Sequence, residues 1–341
     1  MSSPTVLITG GCSYSQVQKQ DQSWPLHLQE LPSIRYVSHT GHGAGGNQII
    51  SRKIISTVMK AIELGHKPED ILVGVMWSAC DRQSHYSTRF DQNYTRTSIL
   101  GPQHKEDFID LLDVPCDLFV DLHNKSDEDP NQWQHGTNPF SIRDQKNPKH
   151  YIMNTHWNDE LTSIYFEHFV NPQKAIIETC ENILRTQWFL KDKGINYFFS
   201  EYDYDVFHYT GPFGYGLEPS EHPGHDFTPN GSIHGGIYSV NSECIQWPND
   251  YTQEMHDQHL TNPEIDYLYN AIDKDYFLPI NNLGEWARET SIYNFARKGD
   301  PHPSTEQHRD FVDKVILPFL LEKYNISYQK VSPSKYCTSS S

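Results

Sequence analysis

A serine near the N-terminus and a histidine near the C-terminus carry the chemistry that this sequence can support. Ser13 follows an apolar, β-branched run and two glycines, in Val6-Leu-Ile-Thr-Gly-Gly-Cys-Ser13. His302 stands in a Gly-Asp-Pro-His-Pro turn, two residues after Asp300. A serine becomes a nucleophile when a base takes its proton, and a third group orients that base. Ser13, His302 and Asp300 are therefore the candidate nucleophile, base and orienting acid.

Each motif also has an ordinary structural interpretation. Gly10 and Gly11 suit any strand-to-helix turn, in which Ser13 would only cap the segment that follows. Gly, Pro and Asp build turns on their own, and a chain with 19 histidines places some of them in turns by chance. Taken singly, the two motifs leave both interpretations open.

The elements that must position these residues predict an α/β fold with a parallel sheet. Apolar runs predict strands at 6–9, 34–37, 71–77 and 195–199, and apolar periodicity predicts helices at 24–31, 49–64, about 171–194, 283–295 and 305–323. Strands that alternate with helices are typical of a parallel sheet with crossover helices. Ligands bind at the carboxyl ends of the strands in such sheets, and Ser13 follows the first strand.

Two further loops are predicted at the same edge. The loop 41–47 contains four glycines, whose backbone N–H groups suit an anion. A nucleotide-binding role is disfavoured because the glycine spacing fits GxGxxG only in part and no acidic residue is well placed after it. Asp81 and Arg82 follow the third strand. They either contact substrate or form an ion pair that secures the loop.

In order and position these segments resemble the four sequence blocks of the SGNH (GDSL-like) hydrolases. The first block is Gly11-Cys-Ser-Tyr-Ser15, the glycine loop and the loop after the third strand follow, and Asp300-Pro-His-Pro303 precedes the last helix. The Gly-Cys-Ser-aromatic-Ser block, the Trp-Ser…Asp-Arg run and Trp24-Pro25 look like a subgroup found in bacterial and bacteriophage proteins. The resemblance covers residues 5–82, 171–203 and 283–322.

The resemblance implies a flavodoxin-like three-layer α/β/α fold and hydrolysis of an ester by a Ser-His-Asp triad, with no metal and no cofactor. Ser13 matches the nucleophile, His302 the base and Asp300 its acidic partner. The backbone N–H groups of Ser13 and Gly43 would face the oxyanion, with Gly45 as the rival glycine.

The chain departs from the family pattern at two places. The third block of the family usually reads Gly-x-Asn-Asp, whose Asn donates to the oxyanion, whereas this chain has Ser78-Ala-Cys-Asp81. Ser78 or Asn47 is then the candidate replacement donor. The acid and the base are spaced Asp-x-His instead of the usual Asp-x-x-His.

Composition limits the class of protein and its partners. The chain has 341 residues, 36% of them hydrophobic, which suffices for one large domain or two ordinary ones. We predict a single domain over 1–330 with irregular insertions at about 83–170 and 204–280, and a flexible tail at 331–341. A net charge of −17 disfavours nucleic acid and anionic membranes as partners. The six cysteines show no metal-binding or disulfide spacing, and no signal peptide or membrane span is recognised, so we predict a cytoplasmic or viral protein.

These observations together predict a serine esterase or deacylase. The substrate is a small molecule or glycan ester, with an acyl group on a carbohydrate favoured by the many aromatic residues of the two insertions. The alternative is a non-catalytic binding or structural protein on the same scaffold, for example a phage-encoded component. The sequence gives no oligomeric state.

Overall fold

The computed structural model describes residues 3–16, 23–41, 45–80, 82–87, 119–122, 149–153, 165, 168–169, 172–203, 262–279, 282–295 and 302–326. In this part of the chain seven strands form two sheets. The strands are β1 (Val6–Gly10), β2 (Tyr36–His39), β3 (Ile71–Trp77), β4 (Gln83–Ser87), β5 (Val120–Asp121), β6 (Lys149–Met153) and β7 (Asn196–Glu201). The larger sheet has the order β5-β2-β1-β3-β7, and β4 pairs with β6 in a separate antiparallel ladder.

Four strands of the larger sheet run parallel, which confirms the predicted α/β class. β1 pairs in parallel with β2 on one side and β3 on the other, and β3 pairs in parallel with β7. The short β5 is antiparallel to β2. β1 lies between two neighbours and all five of its residues are buried, as expected for the interior strand of a parallel sheet.

Seven α-helices accompany the described strands. They are α1 (Trp24–Leu28), α2 (Asn47–Glu63), α3 (Pro172–Lys193), α4 (Pro263–Ala271), α5 (Leu283–Glu289), α6 (Thr305–Phe311) and α7 (Leu317–Tyr324), and a π-helical turn, Val312–Ile316, joins the last two. Gly65 and Gly194 follow α2 and α3 with φ of +93° and +67°. Left-handed glycines end helices in this way, as the position of Gly65 directly after the periodic segment 49–64 predicts.

Helices cover both faces of the central strands. Successive strand residues point to opposite faces. A Cβ on Gly10 would lie 2.8 Å from the Ile54 side chain of α2, whereas a Cβ on Gly74, the register partner of Thr9, would lie 3.0 Å from the Trp24 ring of α1. α1 and α2 therefore lie on opposite faces of the sheet, and their side chains pack directly against its strands.

Several predicted boundaries differ from the structure: the helix predicted at 24–31 ends at Leu28, and two further differences have a clear physical cause. The second strand begins at Tyr36 instead of residue 34, because the N–H groups of Arg35 and Tyr36 both donate to the Thr5 carbonyl and pairing starts only there. The helix predicted at 283–295 ends at Glu289, because the following segment turns so that the Tyr293 carbonyl accepts from Gln307 Nε2 (2.9 Å).

Most of the two predicted insertions, about 83–170 and 204–280, and all of the predicted tail, 331–341, lie outside the described residues. Among the described residues, no helix has the length and apolarity that crossing a bilayer requires.

Candidate active site

Ser13 and His302 meet although 289 positions separate them in the chain. Ser13 Oγ and His302 Nε2 lie 2.8 Å apart, within the distance that proton transfer between a nucleophile and its base requires. Both side chains are partly exposed, so a substrate can reach them. This contact is the core of the candidate site.

The turn after β1 fixes the position of Ser13. Residues Ser13–Ser15 form a 3₁₀ turn in which the Ser15 N–H donates to the Cys12 carbonyl (3.0 Å). Ser15 Oγ in turn accepts from Trp24 Nε1 of α1 (2.9 Å). A Cβ on Gly11 would lie 2.2 Å from Ser15 Oγ and 2.8 Å from the Met76 carbonyl oxygen. The close approach of β1, β3 and the turn therefore requires glycine at position 11.

The capping box of α6 fixes the segment that carries His302. Ser304 followed three residues later by Gln307 is the sequence pattern that predicts a capping box. In the structure Ser304 Oγ accepts from the Gln307 N–H, and Gln307 Oε1 accepts from the Ser304 N–H (2.8 Å). The buried amide of Gln307 also donates to the carbonyls of Ala287 (3.1 Å) and Tyr293 (2.9 Å). One side chain therefore joins the start of α6 to α5 and to the segment after it.

Aromatic rings border His302. The Tyr14 ring lies 5.1 Å from the His302 ring, and the Tyr202 ring packs edge-on against Tyr14 at 5.1 Å. Burial raises the pKa of the Tyr14 phenol well above its usual value, and the charge of Asp203 raises it further. Tyr14 therefore stays protonated near neutral pH and forms a neutral wall beside the imidazole.

A nearly buried ion pair supports this wall from α5. Arg288 donates twice to Asp203, from Nη1 to Oδ2 (3.0 Å) and from Nη2 to Oδ1 (2.7 Å). The Gly284 N–H donates to the Tyr202 carbonyl (2.9 Å). α5 thus holds the segment that follows β7, and with it the Tyr202 ring.

Asn47 contacts the loop after β3 with its whole side-chain amide. Its Oδ1 accepts from the Ser78 N–H (2.8 Å), and its Nδ2 donates to the Ser78 carbonyl (2.9 Å) and to Thr179 Oγ1 (3.1 Å). Both N–H bonds of Asn47 are used in these contacts. In this structure the residue joins the start of α2 to β3 and α3 instead of presenting a donor beside Ser13 and His302.

Of the other predicted site residues, the structure describes Ser78 and Gly45. Ser78 is fully buried, and its Oγ accepts from Arg82 Nη1 (2.9 Å). Gly45 is buried just before α2. Gly43 and Asp300 lie outside the described residues, so the structure places neither of them relative to Ser13 and His302.

Two residues of the site were not assigned a role from the sequence. Tyr14 directly follows the candidate nucleophile, and Tyr202 directly follows β7 at the carboxyl edge of the sheet. Position after a parallel strand, which identified Ser13, is also the signal that marks Tyr202.

The described residues offer no metal centre, since no group of three or more His, Cys, Asp or Glu side chains among them is arranged to hold an ion. What they do offer is a hydroxyl in contact with an imidazole, at the edge of a sheet where ligands commonly bind. Comparisons of the chain with protein-family models, with curated proteins and with solved structures found no match.

Proposed function

We propose that this protein is a serine esterase or deacylase that hydrolyses a carboxylic ester. The observation that carries the proposal is the 2.8 Å contact between Ser13 Oγ and His302 Nε2. A surface serine does not meet an imidazole in this way by chain proximity, because 289 positions separate the two residues. The turn, the capping box and the aromatic wall all restrict the positions of these two side chains.

The proposed reaction follows from the positions of the two side chains. His302 Nε2 accepts the proton of Ser13 Oγ as that oxygen attacks the acyl carbon, which requires the tautomer with the proton on Nδ1. The tetrahedral oxyanion is held by the backbone N–H groups of Ser13 and Gly43. The imidazolium then protonates the leaving alcohol, and water releases the acyl group from Ser13 by the same steps. Asp300 is the proposed partner of the His302 ring.

The proposal includes the finer fold and the substrate class. We infer an SGNH-type, flavodoxin-like domain with insertions at about 83–170 and 204–280. The parallel order β2-β1-β3-β7, with Ser13 after β1 and His302 before the last helical segment, supports it. The proposed substrate is an O-acyl group on a carbohydrate, and a content of 20 Tyr and 7 Trp supports that choice.

A serine-directed fluorophosphonate tests the nucleophile directly. We expect it to label the wild type and Ser56→Ala, which changes a serine on α2, and not to label Ser13→Ala. His302→Asn should lower the labelling rate by about 10³-fold or more, because the base is then missing. Mass spectrometry of the labelled peptide checks the position.

Hydrolysis of acetylated sugars and short-chain aryl esters then tests the substrate class. We expect turnover by the wild type and by Ser56→Ala and none by Ser13→Ala. Folded wild-type protein that neither takes the label nor hydrolyses any ester of the panel would favour the non-catalytic binding or structural protein.

A further inference from the structure

Arg82 is held at the same edge of the sheet as Ser13. Its Nη1 donates to Ser78 Oγ (2.9 Å), and its guanidinium lies over the Tyr202 ring, 4.8 Å from the ring centre. The residue is partly exposed, whereas Ser78 and Tyr202 beneath it are buried. The guanidinium therefore contacts the first residue after β3 and the first residue after β7.

Strand register places Ser78, the residue to which Arg82 donates, beside the turn that carries Ser13. Gly10 of β1 pairs with Val75 of β3, and Ser13 and Ser78 each stand three residues further along. On the other side of β3, the Tyr202 N–H donates to the Trp77 carbonyl (3.0 Å). Ser78 is thus flanked by the Ser13 turn on one side and Tyr202 on the other.

The aromatic wall connects the guanidinium to the base. Tyr202 packs on Tyr14, and Tyr14 packs on His302, each with ring centres 5.1 Å apart. Arg82 is also close enough to Tyr14 for its charge to favour the phenolate, so it lowers the pKa of Tyr14 against the larger effect of burial. The guanidinium is therefore linked to His302 through the rings of Tyr202 and Tyr14.

We propose that Arg82 binds a carboxylate of the substrate, so that the ester cleaved at Ser13 carries an anionic group. This inference rests on the proposed esterase function. The planar guanidinium matches a carboxylate with two parallel N–H donors. Contacts with Ser78 and Tyr202 restrict its rotation in advance, which reduces the conformational entropy lost on binding.

The charge of the whole chain makes the proposal specific. At −17 the protein repels anions at long range, so preference for an anionic ester requires a local cation. The alternative role of Arg82 is purely structural, since its backbone carbonyl packs against Gly46, where a Cβ would lie 2.2 Å away. A structural role affects charged and neutral substrates alike.

A matched pair of substrates separates the two roles. The 4-nitrophenyl monoester of glutaric acid carries a carboxylate, and its methyl ester is a neutral analogue; the succinic and adipic pairs vary the distance. We expect the wild type to have a higher kcat/KM for the acid in at least one pair. In Arg82→Met the ratio of acid to methyl ester should fall by about 10- to 100-fold, and Arg82→Lys should retain part of it. Arg185→Met changes an exposed arginine that contacts Ser51 and Asn182 away from the site, and should keep the wild-type ratio.

Two results of these assays would contradict the role proposed for Arg82. A wild type without preference for the acid in any pair, or an Arg82→Met variant in which both esters slow by the same factor, contradicts the proposal. If no ester is cleaved and no fluorophosphonate binds, the esterase function itself fails. Binding of the glutaric monoester and its methyl ester to Ser13→Ala, measured by ligand-observed NMR, still tests Arg82: equal binding overturns the proposal, and preference for the acid that is lost in Ser13→Ala/Arg82→Met supports it.

Discussion

At the scale of single residues, a second histidine lies close to the candidate base. His308 on α6 is only 4% exposed. Burial, together with the smaller effects of the nearby His27 and His302, lowers its pKa to about 3. His308 is therefore neutral at and around neutral pH. An ordinary pKa at this position would place a positive charge near His302 in mildly acidic solution.

The low pKa of His308 predicts loss of stability in acid. Below about pH 6.5, the ordinary value, the unfolded chain takes up a proton at His308 that the folded chain binds only near pH 3. The contribution of neutral His308 to the stability of the folded state is therefore fully present above about pH 6.5. It is lost as the pH falls towards 3, by up to about 1.4 kcal/mol per pH unit. In His308→Phe the drop in unfolding free energy between pH 7 and pH 5 should be smaller by about 2 kcal/mol, as measured by urea titration at both pH values.

A packing defect is distinguished from this effect by its pH dependence. His308→Leu should show the same smaller drop in stability between pH 7 and pH 5 as His308→Phe, because both variants lack the ionisable ring. Any loss from poorer packing lowers the stability at both pH values equally. If the unfolding free energy of both variants falls between pH 7 and pH 5 by as much as that of the wild type, His308 takes up its proton in the folded protein without penalty.

At the scale of elements, the start of α6 depends on Gln307. Gln307→Glu keeps an oxygen for the Ser304 N–H but loses the N–H groups that bind the carbonyls of Ala287 and Tyr293. We expect a loss of about 1–3 kcal/mol in stability, together with a lower kcat at nearly constant KM, because the base is then less well positioned.

Ser304→Ala is the matched control for Gln307→Glu, since it removes the other half of the capping box. It should lower stability by about 1 kcal/mol while leaving the amide contacts of Gln307 to α5 in place. Equal effects of the two variants on kcat would show that helix capping alone, and not the link to α5, positions His302.

The contacts of Asn47 make a separate prediction about the loop after β3. Asn47→Ala leaves the buried N–H and carbonyl of Ser78 without the amide that now pairs with them. The expected loss is about 1–3 kcal/mol for each unsatisfied group, measured by chemical denaturation. Thr179→Val removes only one partner of the same amide and should have a smaller effect. If Asn47→Ala keeps the wild-type stability but shows a large fall in kcat, the result would instead indicate a direct role in catalysis.

The elements also show how far the sequence alone predicts this site. β3 was predicted with its observed bounds because Ile71–Trp77 is continuously apolar, and the capping box because Ser304 and Gln307 have the required spacing. β2 was displaced because the Thr5 carbonyl, a tertiary partner, decides where pairing starts. The contact of Asn47 with Ser78 and the ring wall of Tyr14 and Tyr202 join segments far apart in the chain. No local pattern encodes such contacts.

At the scale of the whole molecule, the net charge of −17 predicts that salt stabilises the fold. Like charges held close together in a folded chain repel one another more than in the expanded unfolded chain. Raising NaCl from about 10 mM to about 150 mM shortens the screening length from about 30 Å to about 8 Å and should relieve this repulsion. Exposed ion pairs weaken in the same range, but each contributes only about 0–1 kcal/mol, and the Arg288–Asp203 pair, at 9% and 14% exposure, is screened little. We expect Tm at pH 7.5 to rise by about 1–2 °C, which corresponds to about 1 kcal/mol for a chain of this length.

The calculated isoelectric point supplies the control for this salt effect. Near pH 5.5 the net charge is close to zero, so general repulsion is small and Tm should change little over the same range of NaCl. His308 lowers the stability at that pH, but through proton uptake by the unfolded chain, which shifts Tm at low and high salt together. An equal rise of Tm with salt at both pH values would point to binding of a specific ion, and a fall at pH 7.5 would mean that attractive pairs outweigh the excess negative charge.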